Sequence, residues 1–162
     1  MSDFKWTKKD LLSIYDLSAE EIIHILDTAE EFKKVSQRRV KKVPALRGKT
    51  VVNFFVEPST RTRISFETAM KRLNGKCIGF ESSGSSSVCN GESIADTAKM
   101  FEGYSDALVI RHELEGVSKF ISDFLYLFLY PLHIAKHIFL FSRVAEKKGG
   151  VIDRRHKEIA LF

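Results

Sequence analysis

Residues 50–63 have the sequence TVVNFFVEPSTRTR, and this stretch decides the predicted fold of the chain. Its first half, residues 50–56, is a short apolar run with β-branched side chains, typical of a parallel strand that is covered on both faces. Pro58 ends the strand, and apolar side chains then follow at helical spacing. We therefore predict a helix over residues 59–74, with Gly75 in the usual position after its C-terminus.

Strands and helices alternate on both sides of this stretch. Upstream, Ser18 and Glu21 form a capping-box pattern that predicts the start of a helix. Downstream, residues 76–80 and 106–110 are two more short apolar runs, and a helical pattern over residues 92–104 lies between them. Such alternation predicts an α/β fold, in which a parallel sheet is flanked by helices.

The sequence pattern changes after Phe124, so we divide the chain into residues 1–124 and 125–162. The sequence pattern of the first part predicts one α/β domain. The second part is an apolar and then basic tail whose structure the pattern does not predict. The apolar run is long enough to be weighed as a membrane span, but Pro131 and Lys136 interrupt it. We therefore expect no membrane partner.

Composition and charge restrict the class of protein. A chain of 162 residues has the usual size of one domain. Its net charge of +5 suits an anionic partner only weakly, and no nucleic-acid-binding module accompanies the basic residues, so we expect no nucleic-acid partner. Two cysteines are too few for a disulfide framework, and the N-terminus lacks the pattern of an export signal. A cytoplasmic location is the expectation.

The junction between the predicted strand and helix has the chemistry of an anion site. A helix N-terminus at the end of a parallel strand offers unpaired N–H groups and a positive dipole end, where phosphate binds readily. Ser59, Thr60 and Thr62 add hydroxyl donors, and Arg61 adds a guanidinium that can hold phosphate through two hydrogen bonds. The simpler alternative is that Ser59 only caps the helix and the arginines are solvated.

Three segments of the chain carry a resemblance to a known family. Residues 55–67, FVEPSTRTRISFE, closely resemble the carbamoyl phosphate signature of the aspartate and ornithine carbamoyltransferases. Residues 87–93, SVCNGES, resemble the family's Ser-Val-x-Lys-Gly-Glu-Thr loop, and residues 109–112, VIRH, resemble the strand end that supplies a further phosphate-binding arginine. Glu57 followed by proline is similar to the aspartate branch, and an ornithine-type carbamoyltransferase is the alternative within the family.

The resemblance implies a reaction and a set of site residues. The α-amine of L-aspartate would attack the carbonyl carbon of carbamoyl phosphate, giving N-carbamoyl-L-aspartate and phosphate in de novo pyrimidine biosynthesis. No metal or organic cofactor is implied. Ser59, Thr60, Arg61, Thr62 and Arg111 would bind carbamoyl phosphate. Among them, Arg61, Thr62 and Arg111 would also act in catalysis, because Thr62 would donate to the carbamoyl oxygen and Arg111 would bridge that oxygen and the phosphate.

The resemblance also implies a homotrimer and an incomplete site. In the family the serine-rich loop reaches a neighbouring subunit, so Ser87 and Asn90 would serve a second chain. Asn90 stands where the family has lysine, and a neutral amide cannot supply that charge, so we expect a large loss of rate. Nothing after Phe124 resembles the family's His-Pro-Thr-Gln segment or its aspartate-binding domain. We therefore expect a truncated or frame-altered chain; the alternative is a non-catalytic module for carbamoyl phosphate binding or oligomerisation.

Overall fold

The alternation of helices and strands predicted from the sequence is confirmed. The computed structural model describes residues 8–57, 59–81, 93–125 and 159–161 of the chain. In chain order, the elements are a 3₁₀ turn Ile14–Asp16, α1 Ala19–Gln37, β1 Thr50–Phe55, α2 Thr60–Arg72, β2 Lys76–Glu81, α3 Ile94–Tyr104, β3 Ala107–Arg111, α4 Val117–Phe124 and β4 Ile159–Leu161.

The strands form one sheet in the order β2-β1-β3-β4. β1 lies in the centre and is parallel to both β2 and β3, which confirms the predicted parallel sheet. β4 is antiparallel to β3, so an otherwise parallel sheet has an antiparallel edge strand, a common arrangement in α/β domains. This edge strand belongs to the tail, residues 125–162, for which the sequence pattern predicted no structure.

Apolar side chains cover both faces of the sheet. On β1, alternate residues point to opposite faces, so Val51 and Phe55 contact one core cluster while Val52 and Phe54 contact the other. All four side chains are buried. The first cluster packs under α1 and α2, and the second packs under α3 and α4. The prediction that this strand is covered on both faces is confirmed.

The start of α1 has the hydrogen bonds that its sequence predicted. The Glu21 N–H donates to Ser18 Oγ at 3.2 Å, and the Ser18 N–H donates to Glu21 Oε2 at 2.7 Å. The capping box is thus confirmed. The ammonium group of Lys8 adds an ion pair at 2.6 Å to the same carboxylate oxygen, and this contact, together with the hydrogen bond from the Ser18 N–H, lowers the pKa of Glu21.

Helix α2 ends at Arg72, two residues before the predicted end at residue 74. Asn74 takes the left-handed conformation with φ 65°, and the expectation that Gly75 would occupy this position is wrong. Asparagine tolerates this conformation better than most residues because its short side chain can hydrogen-bond locally. Glycine suits position 75 for a different reason: a Cβ there would displace Cε of Met70 and lie 3.2 Å from the carbonyl oxygen of Leu46.

The helices in the described ranges include none that is long and apolar enough to cross a membrane. The apolar run weighed as a span from the sequence begins at Phe124, which ends α4, and continues at Leu125, which packs in the second core cluster. From residue 126 onward this run lies outside the described residues.

Candidate functional site

The carboxyl ends of β1 and β3 lie side by side. Phe55, the last residue of β1, is in register with Arg111, the last residue of β3. Beyond them, the Val56 N–H donates to the Arg111 carbonyl oxygen at 3.0 Å. The chain therefore leaves β1 directly beside Arg111 and enters the segment that leads to α2. In open parallel sheets, ligands bind beyond the carboxyl ends of the strands.

Glu57 and Arg111 form an ion pair at this edge of the sheet. Arg111 Nη2 lies 3.2 Å from Glu57 Oε1, and the two side chains are only 14% and 13% exposed. Each charge is therefore largely withdrawn from water and depends on the other for compensation. Arg111 Nε is also buried, and within the described residues it has no hydrogen-bond partner. The guanidinium thus has a buried donor without a partner among the described residues.

The first turn of α2 brings two of the predicted hydroxyl groups together. Ser59 is the N-cap residue, but within the described part of the chain its side chain makes no capping hydrogen bond. Instead, Ser59 Oγ donates to Thr62 Oγ1 at 2.9 Å. The Thr62 side chain is buried under this turn. The simpler alternative had Ser59 cap the helix and the arginines solvated; its first half is wrong, while Arg61 is exposed as its second half expects.

Thr60 and Arg61 lie on the exposed side of the same turn. An α-helix leaves the N–H groups of its first turn without intrahelical partners, and these groups carry the positive end of the helix dipole. Ser59, Thr60, Arg61 and Thr62 therefore share one helix start, and Arg111 reaches the same junction through its ion pair with Glu57. Their chemistry suits a small anion such as phosphate.

Two predicted loop residues, Ser87 and Asn90, lie outside the described residues. The prediction that they serve a neighbouring subunit's site stays a prediction. Pro58, between Glu57 and the start of α2, lies outside the described residues as well.

His112 follows Arg111 directly and is a site neighbour to which the sequence pattern assigns no separate role. Its ring is buried, and Nδ1 accepts a hydrogen bond from the Leu114 N–H at 3.0 Å. Burial lowers the pKa of His112, and the nearby charge of Glu113 opposes this effect only in part. Its position beside a predicted site arginine was the available signal, but a hydrogen bond within a turn leaves no pattern in sequence.

Metal ligands are not gathered in the described part of the chain. Among these residues, no group of three or more His, Cys, Asp or Glu side chains could hold a metal ion. Cys77 lies on β2, and burial raises the pKa of its thiol to about 11, so the thiolate form that reacts or binds metals is strongly disfavoured.

Residues 9–125 match the family model described as the aspartate/ornithine carbamoyltransferase, carbamoyl-P binding domain. The chain belongs to this family. The aspartate carbamoyltransferase catalytic subunit of Methanobrevibacter smithii is 60% identical over 115 residues, which cover 71% of this chain and 36% of that protein. The resemblance noted in the sequence is thus confirmed for the carbamoyltransferase family.

Solved structures of carbamoyltransferases share the fold. The catalytic subunit of M. jannaschii aspartate transcarbamoylase matches with a TM-score of 0.67 and 43% identity, over 74% of this chain and 39% of that one. The aspartate transcarbamoylase of Trypanosoma cruzi, in complex with carbamoyl aspartate and phosphate, matches with a TM-score of 0.66 and 30% identity, over 71% of this chain and 36% of that one. This chain therefore spans little more than a third of the length of these carbamoyltransferases.

Proposed function

We propose that this chain binds carbamoyl phosphate at the start of α2, with Arg111 as the second anchor. One observation carries the proposal: the buried pair of Arg111 and Glu57 lies at the junction between β1 and α2, where Ser59 and Thr62 are already in contact. A phosphate group at this helix start would meet unpaired N–H groups, hydroxyl donors and the Arg61 guanidinium.

The proposed roles cover both parts of the ligand, the phosphate group and the carbamoyl group. Ser59, Thr60 and Arg61 hold the phosphate, where a planar guanidinium can donate two parallel hydrogen bonds. Thr62 also holds the phosphate and donates to the carbonyl oxygen of the carbamoyl group, and Arg111 bridges the phosphate and that oxygen. Because negative charge grows on that oxygen during attack, donors fixed beside it stabilise the transition state more than the ground state.

The reaction that follows from these roles is transfer of the carbamoyl group to L-aspartate. The α-amine nitrogen forms a bond to the carbonyl carbon, the bond from that carbon to the phosphate oxygen breaks, and the amine loses a proton. N-carbamoyl-L-aspartate and phosphate are the products, as in de novo pyrimidine biosynthesis. We propose that the chain works in the cytoplasm as part of a homotrimer, with Ser87 serving a neighbouring site.

Asn90 favours a second proposal, a non-catalytic role. The family's lysine at this position would bring a positive charge to both substrates, and asparagine brings none. In this version the chain keeps its affinity for carbamoyl phosphate and its subunit contacts but transfers the carbamoyl group slowly or not at all. An ornithine-type enzyme is the less favoured alternative, because Glu57 followed by proline resembles the aspartate branch.

Calorimetric titration of the chain with inorganic phosphate and with carbamoyl phosphate tests the proposed site. Arg61→Ala should weaken the binding of both ligands about ten- to a hundredfold, since a hydrogen bond to a charged group contributes about 1.5–3 kcal/mol. Arg39→Ala, which removes an exposed arginine in the segment after α1, is the matched control and should bind like the original chain. Equal affinities for the Arg61 and Arg39 variants would refute the proposed site.

Product formation separates the catalytic proposal from the non-catalytic one. Purified chain is incubated with carbamoyl phosphate and L-aspartate, and N-carbamoyl-L-aspartate is measured. Asn90→Lys restores the family residue and should raise the rate if the proposed catalytic site is otherwise present. Ligand binding without product in both the original chain and the lysine variant would leave the non-catalytic role as the function.

A further inference from the structure

His112 occupies a distinctive place between the site and the next helix. It follows Arg111, the last residue of β3, and α4 begins at Val117 after the left-handed Gly116, which has φ 81°. Within this connection the His112 side chain is buried, with only 6% of its surface exposed. The residues that follow it, from 113 to 116, are exposed. The imidazole is therefore the side chain that anchors the turn to the core.

The hydrogen bond of the ring defines its protonation state. Nδ1 of His112 accepts the Leu114 N–H at 3.0 Å, so Nδ1 carries no proton, and the proton of the neutral ring is on Nε2. Burial favours this neutral form as well, since it lowers the pKa of the ring. The bond joins a side chain to the N–H two residues later, a geometry that an asparagine side chain also forms.

The backbone at Arg111 is thus held from two sides. On one side, the Arg111 carbonyl oxygen accepts the Val56 N–H from the chain that leaves β1. On the other side, the next residue fixes the turn through its bond to Leu114. We propose that His112 is a positioning residue, whose ring nitrogen holds the turn after β3 and thereby the direction in which Arg111 presents its guanidinium to the bound anion.

This role rests on the proposed anion site, and three variants separate the two. His112→Phe keeps a ring of similar size and removes the acceptor, His112→Leu removes the acceptor with a different shape, and His112→Asn restores an acceptor for the Leu114 N–H. Titration with inorganic phosphate, supported by hydrogen exchange of the Leu114 amide, is the measurement. The full chain is used throughout.

The expected result is rescue by asparagine. His112→Phe and His112→Leu should weaken phosphate binding about tenfold, because small displacements of an anchoring group reduce affinity and rate strongly. The Leu114 amide should exchange faster in both variants. His112→Asn should bind within about threefold of the original chain, with a protected Leu114 amide.

Each other outcome identifies which inference fails. Phosphate binding by the apolar variants that equals that of the original chain would overturn the positioning role alone. A folded asparagine variant that binds phosphate as weakly as the phenylalanine variant would overturn it too. The same holds if the apolar variants fail to fold while the asparagine variant folds, because the hydrogen bond would then serve folding only. An original chain that does not bind phosphate would refute the proposed site itself, and the positioning role with it.

Discussion

Arg111 and Glu57 are 54 residues apart in the chain, yet Nη2 of the arginine lies 3.2 Å from Oε1 of the glutamate. The parallel pairing of β1 with β3 creates this contact, because it places the ends of the two strands in register. A carboxylate in this position offers Arg111 the same geometry as a ligand oxygen does. The ion pair therefore stabilises the arginine and would compete with an anion bound at the proposed site.

Removal of the competing charge should strengthen anion binding. Glu57→Gln keeps the shape of the side chain and removes its charge, so we expect phosphate to bind about three- to tenfold more tightly, a gain of about 0.7–1.4 kcal/mol. Calorimetric titration at low ionic strength is the measurement, since salt screens the exposed part of the interaction. Glu115→Gln, an exposed acid before α4, is the control and should change the affinity little. Weaker binding by the Glu57 variant would contradict the competition.

A buried amide in the centre of the sheet should lower stability. Asn53 on β1 is fully buried, and neither Nδ2 nor Oδ1 has a hydrogen-bond partner among the described residues. Because an unsatisfied buried polar group costs about 1–3 kcal/mol, Asn53→Val should raise the free energy of unfolding in urea by about that amount. Asn53→Asp, which buries a charge instead, should lower it. A less stable valine variant would mean that the amide has a stabilising partner.

A side chain at position 75 should lower the stability of the chain, although the φ of Gly75 is not the reason. A Cβ would meet Met70, which is fully buried and cannot move into solvent, so Gly75→Ala should lower the free energy of unfolding by about 1–3 kcal/mol. Gly103 is the matched control: it lies in α3 with no atom within 4 Å of an added Cβ. Gly103→Ala should raise stability by about 0.5–1 kcal/mol. Similar losses in both variants would exclude the contact with Met70 as the cause.

The parts of the fold that depend on neighbours in sequence were predictable. The capping box at Ser18 and Glu21 joins residues three positions apart. The apolar run of β1 indicates directly that this strand is buried on both faces. The helix start at Ser59 follows from the strand before it. These features are local, so their physical causes are present in the sequence itself.

The remaining features depend on the packed structure. The partner of Arg111 is decided by strand register, which the sequence pattern does not specify for residues so far apart. The left-handed conformation of Asn74 and the close approach of Met70 to Gly75 both lie at the packed end of α2, where the sequence pattern specifies neither. β4 has three residues, and its antiparallel pairing with β3 is a tertiary contact that no short pattern in the tail predicts.

The stability of the chain should depend on pH through His112. Burial lowers the pKa of the folded-state imidazole below its ordinary value of about 6.5, so the unfolded chain binds more protons at mildly acidic pH. The contribution of the neutral ring is therefore complete above pH 6.5 or so and decreases as the pH falls toward the folded-state pKa. Urea unfolding of the original chain at several pH values between about 8 and 5 should reveal this loss.

His112→Asn isolates this loss from that of the other ionisable groups. Asparagine can accept the Leu114 N–H but does not titrate, so the difference in free energy of unfolding between the two chains should change only where the imidazole gains its proton. We expect the histidine chain to lose stability relative to the asparagine chain as the pH falls below about 6.5. A difference that stays constant over the whole range would mean that the ring has the same pKa in both states. In that case burial of the ring does not disfavour its charged form, and the Nδ1 hydrogen bond to Leu114 does not persist in solution.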